Sequence, residues 1–171
     1  MKILSLRQTY FLGLLWVIGL LLISYYLQTH DGMIPCPLCI LQRIAMCLLG
    51  FCFLIGTLMT TTRLKSILVG CVSCFISILG IVLSGRQVWL QQLPPNLTAD
   101  CGASLDYLLH VLPLDQVVQK IFQGTAECSE INWQFLHLSL AEWSLFTFFY
   151  LLVFSLFQLK RGFRYPSSSD I

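Results

Sequence analysis

Residues 36–59 read CPLCILQRIAMCLLGFCFLIGTLM. From Ile40 to Met59 the run is predominantly apolar and carries one charge, Arg43, near its start. About 20 such residues are what an α-helix needs to cross the hydrocarbon core of a bilayer. Three further stretches qualify in the same way: Thr9 to Leu27 and Ser66 to Ser84, both without charge, and Trp143 to Leu159, also uncharged and slightly short. The whole composition agrees. Of the 171 residues 57% are hydrophobic and only 11% are charged, less than half the charged share of about 25% in an ordinary soluble domain. Mean hydropathy is +0.79. A soluble globule of this size could not hide so much apolar surface, and a disordered chain would be far more polar. The expected fold is an all-α membrane protein, a four-helix transmembrane bundle formed by one domain over residues 1–171. The net charge of +2 is too weak to suggest a nucleic-acid partner, so the expected surroundings are membrane lipid.

The basic residues orient the bundle. Lys2 and Arg7 precede the first span, Arg63 and Lys65 separate the second from the third, and Lys160, Arg161 and Arg164 follow the fourth. The positive-inside rule makes that side cytoplasmic, with both termini there. Seven of the eight acidic residues fall on the other side, in a short outer loop near 28–39 and a long one near 86–142. The first span resembles a secretory signal in its basic start. Its apolar run is too long, however, and no alanine occurs before Ala45 to form a cleavage site, so it is expected to be retained. In the long loop, Leu105, Leu108, Leu109 and Leu112 keep helical spacing, and Val117, Val118, Ile121 and Phe122 continue an apolar face. A short amphipathic helix is expected there, lying in the interface or packing on the bundle. Trp89, Trp133 and Trp143 fall where an outer aromatic belt would be.

Topology divides the eight cysteines. Cys47, Cys52, Cys71 and Cys74 lie within spans and read as small apolar side chains. Cys71-Val72-Ser73-Cys74 matches C-x-x-C, yet mid-membrane a thiolate is strongly disfavoured and no basic residue is near. Cys36, Cys39, Cys101 and Cys128 face outward, and sequence alone allows three ways to pair them. Pro37 suits the first position of a helix, which makes Cys36 the N-cap of the second span and puts Cys39 in its first turn. The unpaired N–H groups and the dipole favour an anion at that end, and a cysteine so placed in C-x-x-C has a lowered pKa. Arg43, four residues after Cys39, lies on the same helical face. Its insertion into a span is unfavourable, which an anionic sulfur beside it would explain better than snorkelling alone. Gln42 flanks the same site. Cys101 and Cys128 enclose 26 residues; a static bridge there would contribute roughly 3–4 kcal/mol by chain entropy.

A reactive C-x-x-C at the membrane surface with a second outward pair suggests a dithiol relay, since disulfide exchange needs only thiolate attack on a disulfide. Such a relay needs a final electron acceptor. No dinucleotide fingerprint or haem attachment motif occurs, and a membrane-dissolved quinone suits the place and the two-electron stoichiometry. Two rival readings are a zinc site built by the four outward thiols and a structural four-span protein stapled by two disulfides. The first lacks close ligand spacing at Cys101 and Cys128; the second does not explain Arg43.

The motif Pro35-Cys36-Pro37-Leu38-Cys39-Ile40-Leu41-Gln42-Arg43 resembles the signature of the DsbB family of bacterial disulfide bond formation proteins. The resemblance continues through 86–94, RQVWLQQLP, then Cys101-Gly102, Leu112-Pro113-Leu114-Asp115 and Glu127-Cys128, and covers nearly the whole chain. It implies a bacterial inner-membrane enzyme, a protein-disulfide oxidoreductase that reoxidises a DsbA-like periplasmic thioredoxin-fold protein and passes the electrons to ubiquinone or menaquinone. By position it implies catalytic roles for Cys36, Cys39, Cys101 and Cys128. The partner would attack a Cys101–Cys128 disulfide at Cys101, the freed Cys128 would attack Cys36, and Cys39 would leave as a thiolate beside Arg43. Arg43, Gln42 and Gln87 are the implied quinone-binding residues; no metal is implied. Many family members carry histidine where this chain has Gln87, so a histidine-dependent protonation is not expected here. The vitamin K epoxide reductase type is a nearer rival, but there the C-x-x-C follows the outer-loop pair, whereas here it precedes it.

Overall fold

The computed structural model describes residues 5–30, 36–59, 63–92 and 134–163, together with residues 110, 111, 113 and 116. Four long helices dominate: α1 (Leu6–His30), α2 (Pro37–Met59), α3 (Arg63–Gln91) and α4 (Leu140–Phe163). A two-stranded antiparallel hairpin, β1 (Gln134–Phe135) and β2 (Leu138–Ser139), leads into α4. All four helices are long and apolar enough to cross a membrane, and each contains one of the four spans expected from the sequence. The expectations that fall on the long amphipathic segment, on Trp133 and on Cys101 and Cys128 lie outside the described residues.

Two of the helices begin with the same local signal. Before α1, the Gln8 N–H donates to Ser5 Oγ at 3.3 Å and the Ser5 N–H to Gln8 Oε1 at 2.9 Å. Before α4, the Glu142 N–H donates to Ser139 Oγ at 3.3 Å and the Ser139 N–H to Glu142 Oε2 at 2.6 Å. Both are reciprocal capping boxes that satisfy N–H groups a helix start would otherwise leave open. The helices extend beyond the apolar stretches at one or both ends, because a change in hydropathy marks the membrane face and does not by itself end a helix. This matters most for α3. The sequence reading started the long outer loop near residue 86, but Arg86, Gln87, Leu90 and Gln91 are good helix formers, no glycine or proline occurs between them and Pro94, and the helix runs on to Gln91. Gln87 therefore stands on a helix, not in a loop.

Contacts fix the topology. Tyr10 of α1 meets Gly56 of α2, Gln42 of α2 meets Gln87 of α3, and Ser66 of α3 meets Gly162 of α4. Sequential helices are thus antiparallel, with α3 packing most extensively on α4 and α2 joining α1 to α3. Thr9 donates to Gln158 Oε1 at 3.1 Å and brings α4 back to α1. Arg7, Arg63, Lys65, Lys160 and Arg161 share one end of this bundle, and Cys36, Cys39 and Glu142 share the other.

Burial is inverted relative to a soluble protein. Leu15, Trp16, Leu22, Phe51, Leu58, Phe75, Phe149 and Phe157 are exposed, whereas Ser66, Ser73, Ser77, Ser84, Ser155, Gln42, Gln87 and Gln158 are buried. Lipid tails are as apolar as leucine, so association comes from close packing and hydrogen bonds between helices. Small residues on α2 and α3 make that closeness. A Cβ on Gly80 would lie 2.2 Å from the Phe148 ring, and one on Gly56 would lie 2.7 Å from Tyr10. Serines at 77 and 84 return their hydroxyl protons to the carbonyls of Ser73 and Gly80, each at 2.8 Å. Tyr10, Val17, Leu49, Phe53, Phe148 and Leu151 form the core between these contacts.

Candidate functional site

The site is built at the head of α2. Pro37 is the first helical residue, and the Ile40 N–H donates to the Cys36 carbonyl at 3.1 Å. The Cys39 N–H donates to Cys36 Sγ at 3.4 Å. Cys36 thus occupies the N-cap, and its sulfur takes the place of a serine or aspartate oxygen. The positive end of the helix dipole favours negative charge on it. Cys39 follows one turn on, and its sulfur lies 3.1 Å from that of Cys36. The pair is unequal: Cys36 is only 3% exposed, while Cys39 is partly exposed.

A second helix supplies the donors. Gln87, 5% exposed, directs Nε2 toward Cys39 Sγ at 3.2 Å and toward Cys36 Sγ at 3.7 Å. Its Oε1 accepts from Gln42 Nε2 at 2.7 Å. Gln42 Oε1 in turn accepts from the Ser144 hydroxyl of α4 at 3.0 Å. Three helices thereby hold one amide against two sulfurs. Gln42, read from the sequence as flanking the thiols, reaches them through Gln87.

Arg43 takes another direction. Its Nε donates to Ser24 Oγ at 3.0 Å, Nη2 to the Ser24 carbonyl at 3.3 Å, and Nη1 to Gln28 Oε1. Helical spacing puts Arg43 one turn from Cys39, but its hydrogen bonds go to α1, where three acceptors meet a planar fork. Position on a helix face gives neighbours along the same helix; it does not say where a long side chain ends. Ser144, Ser24 and Gln28 escaped the sequence reading for the same reason, since their parts depend on which helix packs beside which.

Cys47, Cys52, Cys71 and Cys74 are free thiols within α2 and α3. Cys71 and Cys74 lie in mid-helix, away from any helix start. The outer end of the site is braced by Ser139 Oγ, which donates to Gln91 Oε1 at 2.8 Å and ties the end of α3 to the cap of α4.

The fold and site define a multi-pass membrane protein of four helices with a close dithiol at one end. Comparison with known proteins gives the class a family. The family model described as disulfide bond formation protein DsbB matches residues 6–158. Disulfide bond formation protein B of Nitrosococcus oceani is 36% identical over 158 residues, covering 92% of this chain and 94% of that one. The protein of that name from Chromohalobacter salexigens is 40% identical over 153 residues, 89% of each chain, and that from Xylella fastidiosa is 37% identical over 161, covering 94% and 91%. The chain belongs to the DsbB family, and its function is disulfide bond formation as a disulfide oxidoreductase of the membrane.

Proposed function

We propose that the chain reoxidises a DsbA-like thioredoxin-fold dithiol protein and delivers the electrons to a membrane quinone. The observation that carries this reading is the dithiol itself: two sulfurs in contact at a helix start, with a neutral amide donor fixed against them. Disulfide exchange then proceeds by thiolate attack. A partner thiolate attacks a Cys101–Cys128 disulfide at Cys101 and releases the Cys128 thiolate. Cys128 attacks the Cys36–Cys39 disulfide at Cys36 and expels Cys39 as a thiolate, which the Gln87 Nε2–H donor stabilises. The partner's second thiolate displaces Cys101 and leaves oxidised. Cys101 closes on Cys128 and frees Cys36, so two electrons rest on the Cys36–Cys39 pair.

The residues present suit a quinone, whose carbonyl oxygens accept hydrogen bonds on a flat apolar ring. Arg43 places three of its five N–H groups on α1, Cys39 is partly exposed, and Ile44 presents an apolar surface outward. Arg43 and Gln87 would hold the group, with Gln42 fixing Gln87. When bound, a quinone supplies the two-electron, two-proton acceptor that returns the pair to a disulfide. The reading places the protein in a bacterial inner membrane with the dithiol toward the periplasm, the basic end of the bundle being cytoplasmic.

The test is reconstitution. Purified protein with quinone should oxidise a reduced thioredoxin-fold dithiol protein over many turnovers, and Cys39→Ser should abolish it. Retention of a metal ion without turnover, or full turnover in Cys39→Ser, would overturn the reading.

A further inference from the structure

The chain Ser144–Gln42–Gln87–Cys39 ends at each side in a group that can either donate or accept. Ser144 has one hydroxyl proton and three acceptors near it: Gln42 Oε1 at 3.0 Å, the Ala141 carbonyl at 2.8 Å and Ser84 Oγ at 3.3 Å. The Ser84 proton is already placed on the Gly80 carbonyl. Cys39, at the other end, is an acceptor as thiolate and a weak donor as thiol. Between them stand two primary amides, Gln42 and Gln87, whose N and O atoms exchange places on a half-turn of the terminal torsion with almost no change of shape.

We propose that this chain is a reversible hydrogen-bond relay whose direction follows the charge on Cys39. With a thiolate, Ser144 donates to Gln42, Gln42 to Gln87, and Gln87 to the sulfur, which is the direction the heavy-atom partners take in the structure. With a thiol, every bond reverses: the S–H donates to Gln87 Oε1, Gln87 to Gln42, Gln42 to Ser144 Oγ, and the Ser144 proton turns to the Ala141 carbonyl. No proton passes along the relay. Two amides and one hydroxyl rotate, and the proton that Cys39 gains or loses is exchanged at the sulfur itself. Each amide oxygen and nitrogen of the relay and the Ser144 hydroxyl keep a partner in both states, which a low-dielectric interior favours. A fixed donor would serve the thiolate alone. The inference rests on the reading above only in that Cys39 passes through a thiolate. Gln42, Gln87 and Ser144 are positioning residues for that sulfur.

Among the described residues, the charged and titratable groups at this end of the helices include Cys36 and Arg43 on α2, Arg86 beside Gln87 on α3, Glu142 at the head of α4 and His30 at the end of α1. Arg43 is bound to α1, and Glu142 accepts from the Ser139 N–H. The relay itself contains no titratable group, so any response of Gln42 to pH must come from outside it.

The experiment uses the full chain in detergent micelles, fully reduced, free of quinone and partner, with glutamine side chains labelled with nitrogen-15. Cys39 is titrated by its rate of alkylation against pH, resolved by peptide mass. The expected result is that the side-chain amide signals of both Gln87 and Gln42 shift with the Cys39 midpoint, although Gln42 does not touch the sulfur. In Gln87→Leu the Cys39 midpoint should rise by about one pH unit, a tenfold loss of thiolate, and the Gln42 signal should no longer follow it. Ser144→Ala should blunt the Gln42 response, and Ser144→Thr should restore it. A Gln42 signal that stays still in the unsubstituted protein while Gln87 moves would overturn the relay without any variant. So would a Gln42 response that persists in Gln87→Leu, which is the signature of the thiolate's field alone. Because neither quinone nor partner is present, failure of the proposed oxidase activity leaves this titration unaffected, and the two readings fail separately.

Discussion

Replacing Arg43 with methionine separates a structural clamp from a functional cation. The guanidinium makes three hydrogen bonds to Ser24 and Gln28. At about 1.5 kcal/mol each, the low end for a charged donor, their loss costs about 4–5 kcal/mol. Against this stands the cost of an arginine within a span, about 2.5–3.5 kcal/mol at the centre and less near an end. Methionine keeps the apolar stem and removes the charge, and Ser24 and Gln28 lie close enough to the end of α1 to find other partners. The hydrogen bonds outweigh the insertion cost at this position, so Arg43→Met should destabilise by about 2 kcal/mol, or roughly 4–8 °C in Tm for a chain of this size. Labelling of Cys52, which is 9% exposed at the α2 core face, by a thiol-reactive fluorophore on heating reads that change. If Arg43 also gives a charge-assisted hydrogen bond to quinone, its loss lowers quinone-dependent turnover by about ten- to a hundredfold. Attack of the partner on Cys101 should stay within about twofold, far below one tenfold step in rate. A fall in Tm of more than about 10 °C, with turnover per folded molecule unchanged, would refute the reasoning and make Arg43 an α1–α2 clamp; that limit lies above the roughly 4–8 °C expected.

Gly80→Ala should destabilise by about 1–3 kcal/mol, because its Cβ overlaps the buried Phe148 ring; the additional substitution Phe148→Leu should recover part of the loss in a thermal melt. The hairpin loop residues Leu136 and His137 have φ of 54° and 63°, a left-handed conformation that costs about 1–2 kcal/mol per ordinary residue. Leu136→Asn with His137→Gly, the pair preferred in such turns, should raise Tm, and an unchanged or lower Tm would contradict that accounting. In reduced, quinone-free protein a bulky maleimide should modify Cys39 before Cys36, since Cys36 is buried and Cys39 partly exposed; mass analysis showing the reverse order would overturn the assigned inequality.

What could be read from the sequence was whatever depends on one helix alone. Four apolar runs gave four helices, and Pro37 after Cys36 gave the cap and the first turn. The limits of α3 were misjudged because Arg86 ends the apolar run without ending the helix, and with that error Gln87 was assigned to a loop. The site's hydrogen bonds were illegible for a different reason. Gln42 meets Gln87 across 45 positions and Ser144 meets Gln42 across 102. Such pairings follow from the faces that Gly80, Gly56 and the α3 serines bring together. Arg43 illustrates both cases: its place one turn from Cys39 follows from helical spacing, while its fork turns to acceptors on a helix that the spacing does not describe.

The two sulfurs are stabilised by different parts of the fold, and this bears on the direction of exchange. Cys36 is held by the start of its own helix, through one backbone N–H and the dipole. Cys39 is held by an amide from α3 at 3.2 Å, which reaches Cys36 only at 3.7 Å. Either could leave as a thiolate, so leaving-group stability alone does not choose between attack at Cys36 and attack at Cys39. Access must choose. Cys36 is covered at the cap, so a nucleophile reaches it only when that cover opens, whereas Cys39 is partly open without any movement. Under the proposed flow, a thiol attack at Cys36 is therefore tied to a motion at the head of α2, while the acceptor side of the pair needs none. Cys39 is the sulfur an incoming thiol meets first, so attack at Cys36 requires that motion to accompany the thiol's arrival.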